Sequence, residues 1–445
     1  MSRRTTQRGS QPDSMLSRLR ARVVPAVLVA ALGVPSAHGL AASAPIAAGA
    51  AQVSIQPVPP RAVVMRHDPK LVDIELEVRL LVYGAPITAP TGTTPSLNLF
   101  RFPSIEVALP VITRTSWCDT DFTGLDARVA IDARESRLDR GQVYVKQGPG
   151  VQALLRFQGS VDMPSGQLQF FARYSIQRWK LDIDRDAAAR ATWPREWPAW
   201  TRAYLGKGAG IDPTDAALRE VATNAVDGGP RSTTPYVAAQ AVVHAILKRW
   251  NATTGAASEF GPDGSLRGLR FSADGRYGIG VGRGTPVELA ATCVSALRAI
   301  DIPSRVVYGI VDGASAREAD RGRDRDRRRN TPVFRSICEF YLPDIGWIPF
   351  DPTEMRGHGA ATQAANARVK GFAEVSDLEL VLPLSFTPVP DGYERADRLA
   401  VWGWKIDPRS QLDPDRTISG IRYRENGRGN GTRPFEPAPT QDVAP

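Results

Sequence analysis

Cysteine, histidine and methionine are scarce in this chain: three, four and five residues among 445. The odd cysteine count excludes a fully paired intramolecular disulfide framework and leaves at least one thiol over. Cys118, Cys293 and Cys338 lack zinc-ligand spacing, and beyond residue 39 the only histidines are His67, His244 and His358. No metal and no cofactor is therefore expected. Long apolar runs are missing too. The run Val23–Ala37 spans 15 residues, short of the ~20 that a membrane helix needs. No second stretch is long enough to cross a bilayer.

What surrounds that run gives it a meaning. Arg3, Arg4, Arg8, Arg18, Arg20 and Arg22 precede it against one acid, Asp13, and small residues follow at Ser36, Ala37, Gly39, Ala41 and Ala42. Residues 1–39 read as an export signal, which would deliver the mature chain to the periplasm or outside the cell. An uncleaved anchor is the alternative. Without residues 1–39 the formal charge of +9 falls to about +4, too small a surplus to argue nucleic-acid binding.

A chain of 445 residues is too long for one ordinary core, so two folded domains plus ends are expected. Residues 50–187 read as a β-rich domain. Ile74, Leu76, Val78, Leu80 and Val82 alternate with Glu75, Glu77 and Arg79, the period of a half-buried strand. Further strands are expected at 104–114, 127–133, 142–146, 151–159 and 167–184, and a sandwich accounts for their spacing. Trp117 and Cys118 read as packing residues. Residues 188–204 form a Trp/Pro linker, Trp193-Pro194 and Trp197-Pro198 followed by Trp200, whose indoles would dock it; a carbohydrate platform is the competing reading.

Three helices are expected next. Asp212-Pro213, Thr234-Pro235 and Thr285-Pro286 each supply a cap followed by a first-turn proline. Glu288, three residues after Thr285, adds a capping box. Cys293 shares an apolar stripe with Leu289, Ala296, Leu297 and Ile300, and His244 lies on the buried side of the second helix. Residues 251–284 read as a surface excursion. Residues 317–329 hold seven arginines against four acids and read as a solvated loop. From residue 386 the chain reads as a Pro/Gly/Arg-rich tail.

The segment Arg298-Ala299-Ile300-Asp301-Ile302-Pro303-Ser304-Arg305, then Glu339-Phe340-Tyr341-Leu342-Pro343, then Gly346-Trp347 and Asp351-Pro352-Thr353, resembles the core of transglutaminase-like domains of the papain-type cysteine-enzyme superfamily. The resemblance covers residues 205–385. It implies an α+β class: a transglutaminase-like (papain-like) core preceded by a β-sandwich-like N-terminal domain. The family's nucleophilic cysteine falls on Pro286, its histidine on Arg335 and its tryptophan on Ile337. Its aspartate is matched by Asp351. A proline carries no nucleophile, and a guanidinium stays protonated and cannot act as a base.

The expected function is a secreted or periplasmic pseudoenzyme, a protein- or peptide-binding scaffold with a degenerate triad at Pro286, Arg335 and Asp351. One alternative is an active cysteine acyltransferase or peptidase using Cys293 with His244. Another is a polyanion-binding surface protein working through residues 317–329.

Overall fold

The computed structural model describes residues 62–83, 100–131, 134–137, 143–147, 152–163, 165–208, 210–252, 283–311, 333–387, 401–407 and 418–426. The expected signal (1–39), most of the 251–284 excursion, the 317–329 loop and the end beyond 426 lie outside these residues.

The first half is strand after strand: β1 (Val64–Tyr83), β2 (Phe100–Ile112), β3 (Cys118–Ile131), β4 (Arg134–Arg137), β5 (Val143–Gln147), β6 (Gln152–Met163) and β7 (Ser165–Ile183). The alternation in β1 does what its period demands. Ile74 and Leu76 are fully buried, while Asp73 and Glu75 reach the boundary. β7 pairs antiparallel with β1 on one side and β3 on the other, and β4 extends β3. A second sheet joins β2, β6 and β5. Ile74, Leu76, Val107, Leu109, Val111 and Ile176 meet in one core. Trp117 is completely buried, as a packing residue should be.

The second half follows: α1 (Arg185–Ala188), a 3-10 turn over Ala199–Tyr204, α2 (Ala216–Asn224), α3 (Pro235–Arg249), β8 (Asn251–Ala252), β9 (Arg283–Gly284), α4 (Pro286–Ala299), β10 (Ser304–Val311), β11 (Val333–Leu342), β12 (Gly346–Phe350), α5 (Pro352–Gly357) and β13 (Val381–Ser385). Thr234 caps α3 and Thr285 caps α4, each with proline next. The cap of α2 is Asp215 rather than Asp212. Its carboxylate accepts from the Leu218 N–H at 2.8 Å, while Asp212 closes a turn onto Thr214. Every residue of α4 from Val287 to Arg298 is buried, which marks a core helix rather than a surface one. It packs against α2, α3 and the antiparallel sheet β12-β11-β10-β13.

The stretch expected to be a tail from residue 386 is not one throughout. β14 (Gly403–Asp407) pairs with β2, and β15 (Ile418–Asn426) pairs with β1 from Asp73 opposite Asn426 to Leu81 opposite Ile418. Arg178, 4% exposed, forks onto Glu425 at 2.7 and 3.0 Å. Residues 403–407 and 418–426 thus add a strand to each of the two N-terminal sheets. Residues 60–445 group into one compact unit. The physical reason is edge pairing: β1 and β2 offer rows of backbone groups that a distant strand can satisfy. Local composition does not name the partner.

Candidate functional site

The site begins at the N-terminus of α4. The Thr285 hydroxyl accepts from the Glu288 N–H at 3.3 Å, and the Glu288 carboxylate accepts from the Thr285 N–H at 2.7 Å. A buried carboxylate therefore stands at the positive end of the helix dipole. Pro286, half-buried on the first turn, suits a helix start and has nothing to attack with. The end of a helix that could stabilise a thiolate is occupied by Glu288 instead.

β11 and α5 supply the other two positions. Arg335 Nη2 donates to Asp351 Oδ2 at 2.7 Å, and Nη1 donates to the Ser376 carbonyl at 2.9 Å. Asp351 is itself the cap of α5. Its other oxygen accepts from the Thr353 and Glu354 N–H groups at 2.9 and 3.0 Å. A carboxylate holding three donors is well satisfied. A second acid, Glu354, lies 3.6 Å from Arg335 and accepts from the Ser376 hydroxyl at 2.6 Å. Arg335 is 22% exposed and Asp351 7%, so the pair opens to solvent on the guanidinium side. The structure joins Arg335 directly to Asp351. It brings α4, which carries Pro286, against both β11 and α5.

The cysteines lie elsewhere. Cys293 is fully buried in α4, and burial alone pushes its thiol well above the ordinary range. Cys338 is buried, and its Sγ donates to the Ala290 carbonyl at 3.6 Å. Burial pushes Cys118 up to about 12. His244, named as a partner for Cys293, instead places Nε2 2.7 Å from the Gln363 carbonyl. Burial of all three thiols disfavours a thiolate, which needs nearby positive charge or water.

One polar cluster gave no separate signal in the sequence. Arg305 Nε and Nη2 donate to Glu339 Oε2 at 2.7 and 2.6 Å, with both side chains at 2% exposure or less. The Ser116 hydroxyl and N–H, from the turn before β3, donate to Glu339 Oε1 at 2.8 and 3.2 Å. Trp117 Nε1 donates to the Val381 carbonyl at 3.0 Å. The first region is thereby clamped to the second. Arg305 and Glu339 are visible in the resemblance; Ser116 is a residue that composition treats as a loop.

Residues 229–352 match the family model of the transglutaminase-like superfamily, a narrower span than the 205–385 of the sequence resemblance. A solved structure of a proposed cysteine protease from Cytophaga hutchinsonii aligns with 12% identity and a TM-score of 0.46, over 84% of this chain and 95% of that one. No curated protein sequence matches the chain. Over residues 229–352 the fold is transglutaminase-like, and the described residues combine helices with antiparallel sheets, the N-terminal region being strand-rich. Among the described residues no helix is long and apolar enough to cross a membrane, and no cluster of His, Cys, Asp or Glu could hold a metal ion.

Proposed function

We propose that this chain, which carries a transglutaminase-like domain at residues 229–352, is an exported protein- or peptide-binding scaffold without acyl-transfer chemistry. One observation carries the reading: all three thiols of the chain are buried, and the histidine position is an arginine paired with Asp351 at 2.7 Å. Acyl transfer by this family needs a thiol that substrate can reach and a base that can accept its proton. Pro286 supplies neither. Arg335 is a donor only, so the ion pair orients a structural element where an imidazole would orient a reaction. The basic, apolar leader at residues 1–39 supports export.

The test is native thiol labelling beside an amine-incorporation assay. The folded chain is treated with a bulky maleimide and sites are read by mass spectrometry. In parallel, a fluorescent primary amine and a glutamine-containing protein are offered as substrates. The expected result is no labelling of Cys118, Cys293 or Cys338 until the chain is unfolded, and no amine incorporated. Rapid modification of Cys293 together with incorporation that this modification abolishes would overturn the proposal and establish an enzyme.

A further inference from the structure

Among the described residues three arginines are buried to 7% exposure or less: Arg178, Arg298 and Arg305. Two of them hold a carboxylate, Glu425 on Arg178 and Glu339 on Arg305. Arg298 has no acid partner among the described residues. Its Nε donates to the Ser304 carbonyl at 2.9 Å, and its Nη1 donates to the Gly206 carbonyl at 2.6 Å. These carbonyls answer two of the five guanidinium N–H groups and bring no charge. Burial accordingly pushes the group down to about 10, with only the Tyr204 and Tyr308 phenols acting the other way.

An uncompensated buried cation is among the costliest arrangements a fold can keep. Arg298 stands in the last turn of α4, whose C-terminal dipole offsets a fraction of that cost. The guanidinium also lies close to the surface on one side. Gly206, Lys207 and Gly208 are exposed, and a Cβ on Gly208 would stand 3.8 Å from Nη1. Nη2 has no acceptor among the described residues and is not sealed from solvent. Its donors therefore reach water beside a glycine that has no side chain to cover them. Lys207 pairs with Asp212 at 3.0 Å, so that neighbouring pair is neutral and Arg298 keeps the uncompensated charge. What completes such a group is an anion with at least two oxygens, because the guanidinium fork matches carboxylate and phosphate in both geometry and sign. A halide offers a single centre, and a neutral ligand would leave the charge as it was.

We propose that Arg298 anchors a binding site for a small oxyanion, a carboxylate or a phosphate group, which enters beside Gly208. Arg298 lies twelve residues along α4 from Pro286, about 18 Å at helical rise. The oxyanion site is therefore separate from the candidate site at the start of α4 and does not depend on the function proposed above.

The test is thermal unfolding of the full chain in phosphate, acetate or chloride at one pH and one ionic strength, repeated for Gly208→Leu and Arg298→Met. A ligand held only by the folded state raises Tm as its concentration rises. Expected is a Tm that climbs with phosphate or acetate beyond chloride, the steeper of the two naming the group bound. Both variants should lower the apparent affinity at least about tenfold. Gly208→Leu changes no charge, so anions drawn to the basic chain as a whole would bind it as they bind the wild type. A Cβ at Gly208 meets only ordinary contacts, so this variant is expected to fold, and it decides alone should circular dichroism show Arg298→Met unfolded. Equal Tm in all three salts, or an affinity left unchanged by Gly208→Leu or by a folded Arg298→Met, would overturn the proposal.

Discussion

Replacing Glu339 with alanine removes the centre of the clamp, and its cost follows from the contacts. Glu339 is fully buried and accepts four hydrogen bonds, two from Arg305 and two from Ser116. Its loss strands a guanidinium that is 2% exposed and leaves the Ser116 N–H and hydroxyl without an acceptor. Breaking a buried ion pair by removing one partner costs ~3–5 kcal/mol. Orphaned buried donors add ~1–3 kcal/mol. The faces of Trp347 and Phe386 hold the cation in the wild type as well, so they offset nothing. The loss is at least about 4 kcal/mol, of order 10 °C in Tm. Guanidinium unfolding measured by tryptophan fluorescence and by far-UV circular dichroism would read it. Ser116 and Glu339 sit in the two regions, so both signals should move together. The double variant Arg305→Met/Glu339→Leu removes both charges at similar volume and should cost less than the single one, since isosteric apolar replacement of a buried pair is often near neutral. A loss below 1 kcal/mol for Glu339→Ala, or a double variant as damaged as the single one, would refute the reasoning.

Two further outcomes are expected. The Cys118 thiol, raised by burial from 9.0 to about 12, stays protonated in the fold while the unfolded chain ionises. Its contribution is therefore complete below pH 9 and is lost as pH rises towards 12, by up to about 1.4 kcal/mol per pH unit. Unfolding free energies measured from pH 8.5 to 11 should fall, and Cys118→Ala should make the slope shallower; an unchanged slope would remove Cys118 as a cause. Gly309, in the middle of β10, has room for no side chain: a Cβ there would overlap Val381 Cγ1 and lie 3.0 Å from the Leu382 carbonyl. Gly309→Ala should force β13 away and cost ~1–3 kcal/mol, read by thermal unfolding, and a Tm unchanged within error would contradict that packing.

The sequence by itself determined what is local and periodic. Alternation placed Ile74, Leu76 and Val78 inward along β1, and Thr285, Pro286 and Glu288 announced the start of α4, because a capping box is satisfied within four residues. The spacing from Pro303 and Glu339 also put Pro286 and Arg335 where chemistry would otherwise be sought. Composition misread what depends on distant partners. Nothing between residues 386 and 445 marks 403–407 and 418–426 as strands of the N-terminal sheets, since a strand edge specifies hydrogen bonds rather than side chains. Asp212 and Asp215 are equally good caps by type, and the fold chose the second. The resemblance put Arg335 beside Asp351, and the structure bears the pair out at 2.7 Å; only the tertiary structure could show Ser116 on Glu339, and Trp200 bare beside rings from β11 and β12. Each of these is a contact between segments whose separation along the chain carries no information about their separation in space.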